Sequence, residues 1–323
     1  MKRGKKHPAF QHKIRTRETF MIIDTLIEKI IATQNPTCVG LDTQLSYLPE
    51  EMRAGVTTPE QAADAILAFN KKLVDSVADI VPSVKVQIAY YEQYGAAGVQ
   101  AFFDTCRYAK DRGLVVIADC KRNDIGSTAA RYSAAYLGTT ELDGKKVALG
   151  SCDFLTVNGY LGTDGIAPFL EDCKQYDKGI FVLVKTSNPS SGELQNLKLA
   201  DGRTVFECMG DMVEGWGKDS IGKYGYSAVG AVVGATHPEE AKILRGRLPH
   251  TFFLIPGYGA QGGNAEMLKS CFAAGGMGGV VNNSRGVLCA YKKRGGTYYE
   301  AARAACLDMQ ADLASVLGEI CAK

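Results

Sequence analysis

The stretch Leu114-Val-Val-Ile-Ala-Asp-Cys-Lys-Arg-Asn-Asp-Ile-Gly-Ser-Thr128 joins a short apolar run to a dense set of charges. Leu114–Ala118 reads as a central strand of a parallel sheet, because such strands are covered on both faces and lack polar alternation. The run ends at Asp119, and Lys121, Arg122 and Asp124 follow before a helix starts near Ser127. In an extended chain residues two apart share a face, so Asp119 and Lys121 point the same way as Val115 and Ile117. A carboxylate and an ammonium at the mouth of a buried strand are costly to desolvate, which marks them as candidates for chemistry. The plainer alternative is a solvated charge run at a strand exit, with Asp124 answering Arg122.

Strand and helix patterns alternate on either side of this stretch. Toward the N-terminus, a helix at Ile22–Thr33 leads to the strand Thr37–Asp42, whose alternation places Cys38, Gly40 and Asp42 on one face. A helix over Thr58–Asp79, with Pro59 in its first turn, precedes the strand Pro82–Ala89. In that strand Val84, Val86 and Ile88 form one face and Ser83, Lys85 and Gln87 the other. A lysine inside a strand covered on both sides calls for a partner. Tyr90–Arg112 reads as the next helix.

Toward the C-terminus the strands are Asp153–Asn158, Gly179–Thr186, Ser227–Ala235, Thr251–Pro256 and Gly278–Asn282. Helices are expected at Thr163–Gln175, Val205–Gly217 and Tyr298–Lys323, and Asp201-Gly202 reads as a hairpin turn. Thr236-His-Pro-Glu239 has the form of a capping box, which assigns His237 to a helix start and not to a ligand set. Eight strand–helix units without a linker predict an α/β fold of the (β/α)8 TIM-barrel type over residues 21–323 as one domain. An open doubly wound sheet is the alternative.

The composition is that of an ordinary globular chain: 323 residues, 46% hydrophobic, 22% charged, net charge +2. The basic excess sits in Met1–Arg17, and residues 1–20 lack apolar periodicity. They read as a disordered leader, not a nucleic-acid arm, and Met21-Ile-Ile-Asp looks like a natural beginning. No apolar run is long enough for a membrane span and no signal-peptide core is present. The ten cysteines include no C-x-x-C pair, a pattern of reduced thiols in a cytoplasmic protein. Of four histidines only His237 and His250 lie outside the leader, so His-based catalysis and a His-rich metal site are not expected.

In barrels of this kind the site lies at the C-terminal strand ends, and the loops after strands seven and eight often hold phosphate. Gly257-Tyr-Gly-Ala-Gln-Gly-Gly263 offers backbone N–H groups and the Gln261 side chain, and Arg285 can grip phosphate bidentately at the start of the last helix. Asp42, Lys85, Asp119, Lys121 and Asp124 gather at the ends of the first three strands.

The order D-x-K-R-x-D-I-x-x-T closely resembles the signature of orotidine 5'-phosphate decarboxylases. Asn35–Asp42, Lys185–Leu194, Gly234–Glu240 and Pro256–Gly263 are similar to phrases of the longer bacterial subgroup of that family. The resemblance implies decarboxylation of orotidine 5'-phosphate to UMP without a cofactor or metal, in pyrimidine biosynthesis, by a homodimer with shared sites. It implies that Lys121 is the proton donor, that Asp119 sits beside the substrate carboxylate, and that Lys85 is the second lysine of the network. Asp124 and Thr128 would reach the neighbouring subunit's site. Asp42 would contact ribose, Ser187 the pyrimidine, and Gln261 and Arg285 the phosphate. Asn158 stands where many shorter members have histidine.

Three other readings compete. A Mg2+-dependent sugar-phosphate relative would carry an acid where Lys85 stands, and an ammonium there repels a divalent cation. A Schiff-base aldolase needs a lysine with a depressed pKa, whereas carboxylate neighbours raise it. A non-catalytic phosphate binder would be expected to have lost one of the charged residues.

Overall fold

The computed structural model describes residues 21–259 and 264–322. The proposed leader at residues 1–20 and the phosphate candidate Gln261 lie outside the described residues. Eight parallel strands close into a barrel: β1 (Thr37–Leu41), β2 (Ser83–Gln87), β3 (Val115–Arg122), β4 (Phe154–Val157), β5 (Gly179–Lys185), β6 (Val229–Val233), β7 (Phe253–Ile255) and β8 (Gly279–Asn283). Each pairs with the next, and β8 pairs with β1, so the expected (β/α)8 order holds and the open sheet is excluded.

Strand alternation divides the core in two. Cys38, Val115, Ile117, Phe154, Phe181, Leu254 and Val280 fill the barrel interior, while Val39, Val84, Val116, Leu155 and Val182 face the helices outside. The helix Ile22–Thr33 packs Ile23, Leu26 and Ile27 into the interior cluster. It closes the end opposite the charged strand tips, leaving one mouth for chemistry.

Several local expectations change. β3 does not stop at Asp119 but runs to Arg122, with a register shift against β4 between Ala118 and Arg122. Arg122 pairs with Glu92 at 2.9 Å and bonds Tyr136, so Asp124 is not its counter-ion and the solvated-run reading fails. The expected helix Tyr90–Arg112 is two, Ala89–Glu92 and Gly95–Asp111, separated where Gly95 turns to φ 62°. The C-terminal helix covers Tyr298–Leu317 and ends at Gly318 with φ 69°, a conformation that costs glycine little.

The capping box at Thr236 does not form. His237 is the N-cap of Pro238–Arg247, without a side-chain cap, and the Thr236 hydroxyl instead donates to the Ser187 carbonyl at 3.2 Å. Arg285 opens a four-residue helix, Arg285–Leu288, not the long closing one. Asp201-Gly202 is a turn flanked by a single antiparallel bridge, Lys198 to Thr204. The fully formed hairpin lies elsewhere, at Thr140–Leu142 and Lys145–Val147, where Asp143 and Gly144 both take positive φ as a tight two-residue hairpin loop demands.

Candidate active site

The mouth of the barrel holds a cavity of about 470 Å³ lined by Asp42, Lys85, Asp119, Lys121, Ser187 and Arg285, among others. Residues from the ends of five strands thus meet in one site. Asp124 and Thr128 do not line it. Both lie past the end of β3, Asp124 half-buried and Thr128 exposed.

Asp119 is the hub. Its Oδ2 accepts from Lys85 Nζ and Gln87 Nε2, each at 2.9 Å. Its Oδ1 accepts from Lys121 Nζ at 2.6 Å and Thr156 Oγ1 at 2.9 Å. Four donors occupy the lone pairs of one carboxylate, which can only accept while it is ionised. Burial alone would raise its pKa, but the Lys85 and Lys121 ammonium groups hold it well below the usual carboxylate range.

Lys85 sits between two acids, 2.9 Å from Asp42 Oδ1 and 2.9 Å from Asp119 Oδ2, and is nearly inaccessible. Burial pushes its pKa down, yet Asp119 and Asp42 together carry it above the ordinary lysine value. The ammonium occupies the space between two carboxylates that a divalent ion would need. Among the described residues no group of three or more His, Cys, Asp or Glu side chains is placed to share a metal ion.

Lys121 reaches Asp119 by a route that alternation does not describe. It takes φ 48°, a left-handed conformation uncommon for a side chain larger than glycine, and its N–H donates to Thr156 Oγ1 at 3.0 Å. The bulge re-aims the side chain while Thr156 holds the irregular backbone from the next strand. The Lys121 side chain is 46% exposed, the most open member of this network.

Residues not singled out from sequence complete the site. Gln87 shares the inward face of Lys85, and Thr156 shares that of Phe154, so strand period two could have found both. Ser284, one residue past β8, continues the inward alternation of Val280 and Asn282, and its hydroxyl donates to Asp42 Oδ2 at 2.7 Å. Asn282 in turn donates to Ser284 Oγ at 3.2 Å. Asn158 accepts from the Tyr160 N–H at 3.0 Å and caps its own turn. All ten cysteines are free, none of them lines the cavity, and burial lifts Cys38 beneath the site to about 12.

A closed parallel barrel whose charged residues converge at its C-terminal mouth defines the chain as a TIM-barrel enzyme. The family model of orotidine 5'-phosphate decarboxylase / HUMPS matches residues 36–294, and the chain belongs to this family. It is 45% identical over 274 residues to an orotidine 5'-phosphate decarboxylase of Caldicellulosiruptor bescii, covering 83% of this chain and 90% of that one. The same name belongs to a Clostridium botulinum protein 45% identical over 297 residues, covering 91% and 99%. A solved structure of a candidate orotidine-monophosphate decarboxylase from Toxoplasma gondii superposes with a TM-score of 0.75 at 28% identity, covering 93% of this chain and 99% of that one.

Proposed function

We propose that the chain converts orotidine 5'-phosphate to UMP and CO2 in pyrimidine biosynthesis, with no metal or organic cofactor and with Lys121 as proton donor. One observation carries this reading: Asp119, ionised and saturated with donors, lies against Lys121 at the floor of a cavity that also holds Arg285. Loss of CO2 from C6 of the pyrimidine leaves a poorly delocalised carbanion. An anionic Asp119 beside the substrate carboxylate disfavours the bound ground state relative to the transition state. Lys121 stabilises the developing negative charge and then delivers its proton to C6. Arg285 and Asp42, remote from C6, supply binding energy from phosphate and ribose that orients the ring.

The active unit in this reading is a homodimer in which Asp124 and Thr128 enter the partner's site. The surface near Asp124 supports it: Ile125 is 54% exposed and Tyr160 74%, an apolar display that a second copy would cover. The free thiols support a reducing, cytoplasmic setting, and no helix among the described residues is long and apolar enough to cross a membrane.

The deciding experiment is incubation with orotidine 5'-phosphate in the presence of chelator, following loss of the orotate absorbance. Turnover should be unaffected by chelator. Activity abolished by chelator and restored by Mg2+ would assign the chain to the metal-dependent side of the family.

A further inference from the structure

The chain buries a second lysine that the reaction does not use. Lys185 ends β5 and is fully inaccessible. A register shift between Leu183 and Lys185 takes it off the inward alternation of Phe181 and Leu183, and it does not line the cavity. Its Nζ donates to Ser191 Oγ at 3.2 Å and Asn196 Oδ1 at 2.9 Å, both neutral, and stands 5.8 Å from the Phe206 ring centroid. Burial lowers its pKa, opposed in part by Glu240. A buried amine without an ion-pair partner is costly, and an apolar side chain of equal length would fill the space at lower cost.

The segment held by this amine forms one wall of the site. Thr186, Ser187 and Asn188 line the cavity, and the chain then doubles back through Ser191 and Asn196 onto Lys185. Gln195 clasps Thr186 twice, accepting from its N–H at 3.0 Å and donating to its hydroxyl at 2.8 Å. Ser187 is pressed against Gly234, where an added Cβ would lie 2.8 Å from the Ser187 Cα. Ser191 also approaches His237 Nε2 at 3.4 Å. Lys185, at the start of this loop, ties Ser191 and Asn196 of its returning limb back to β5.

We propose that Lys185 is a positioning residue that fixes the Thr186–Asn188 wall and thereby sets how strongly the site favours a pyrimidine nucleotide over its sugar phosphate. The inference rests on the decarboxylase reading, in which this wall meets the base while Arg285 meets the phosphate. Lys185→Met keeps the length and removes the donors. Asn196→Ala removes one acceptor at an exposed position and leaves the strand untouched.

Calorimetric titration of wild type and both variants with UMP and with ribose 5-phosphate separates base from phosphate recognition. The ratio of the two affinities should fall by about tenfold in each variant, the scale of one or two lost hydrogen bonds, with ribose 5-phosphate binding nearly unchanged. If Lys185→Met fails to fold, Asn196→Ala decides alone. Folded variants that keep the wild-type ratio overturn the positioning role and leave the decarboxylase reading standing. A wild type with no preference for UMP over ribose 5-phosphate overturns both.

Discussion

Lys121 and Asp119 meet at 2.6 Å across a left-handed backbone turn, and the opposite oxygen of the same carboxylate is held by Lys85. Both lysines line the cavity, but the Lys121 side chain is 46% exposed and that of Lys85 only 5%, which is why the proposed mechanism gives the proton to Lys121. Replacing Lys121 with alanine should lower kcat by at least about a hundredfold, the usual scale for a proton donor. Asp119 keeps Lys85, Gln87 and Thr156, so the melting temperature should stay near the wild-type value. Retention of as much as about a tenth of wild-type kcat would rule out the proton-donor role.

The pKa shifts of this network fix where stability depends on pH. The folded pKa of Asp119 is depressed, so its contribution is present above the unfolded value, roughly 4, and is lost as pH falls through the folded value. The folded pKa of Lys85 is raised, so its contribution is complete below the unfolded value of roughly 10.4 and is lost as pH rises through the folded one. Thermal unfolding of wild type and Asp119→Asn should therefore differ by a constant amount from about pH 5 to 9, with the gap narrowing below about pH 4. A gap that changes between about pH 6 and 8 would place the titrating group elsewhere.

A single glycine holds open the space beside Asp42. A Cβ on Gly40 would stand 1.9 Å from Ser284 Oγ and 2.8 Å from Asn282 Oδ1, so alanine there must displace the hydroxyl that donates to Asp42. Gly40→Ala should cost about 1–3 kcal/mol of stability, as overpacking does. It should also raise KM more than it lowers kcat if Asp42 contacts ribose as proposed. Ser284→Ala, which removes the same hydrogen bond without crowding, should shift KM in the same direction with a smaller change in melting temperature. A KM unchanged in both variants would separate Ser284 from substrate binding.

The barrel was legible because its inward faces are regular where the chain is regular. Cys38 and Gly40 on β1 with Asp42 just past it, and Ser83, Lys85 and Gln87 on β2, follow period two. Lys121 and Lys185 follow a register shift instead, and each depends on a partner remote from the strand: Thr156 on β4 for the first, Ser191 and Asn196 in the following loop for the second. Period two sends both lysines inward, whereas the structure brings one to the cavity and buries the other behind its wall. The Thr140–Val147 hairpin was readable from Asp143-Gly144, but its strands are three residues each and largely exposed, too short and polar to stand out.

The shared site is the prediction with most reach. Asp124 follows β3 after the chain has turned outward, and it does not line the cavity of its own subunit. Its Oδ1 lies 2.8 Å from the Ile125 N–H, so the alternative is a carboxylate that merely stabilises the start of Gly126–Tyr136. Under that alternative Asp124→Ala weakens the helix and leaves turnover nearly intact. In a two-fold dimer it abolishes turnover, because each site takes its Asp124 from the partner. Mixing separates the cases. Inactive Asp124→Ala and inactive Lys121→Ala subunits, once exchanged, form heterodimers in which one site lacks both side chains and the other keeps both. Activity should return to about a quarter of the wild-type level when the two are mixed equally, since half of the dimers are mixed and each has one working site. A mixture that stays inactive although mass spectrometry confirms exchange would show that Asp124 serves its own subunit.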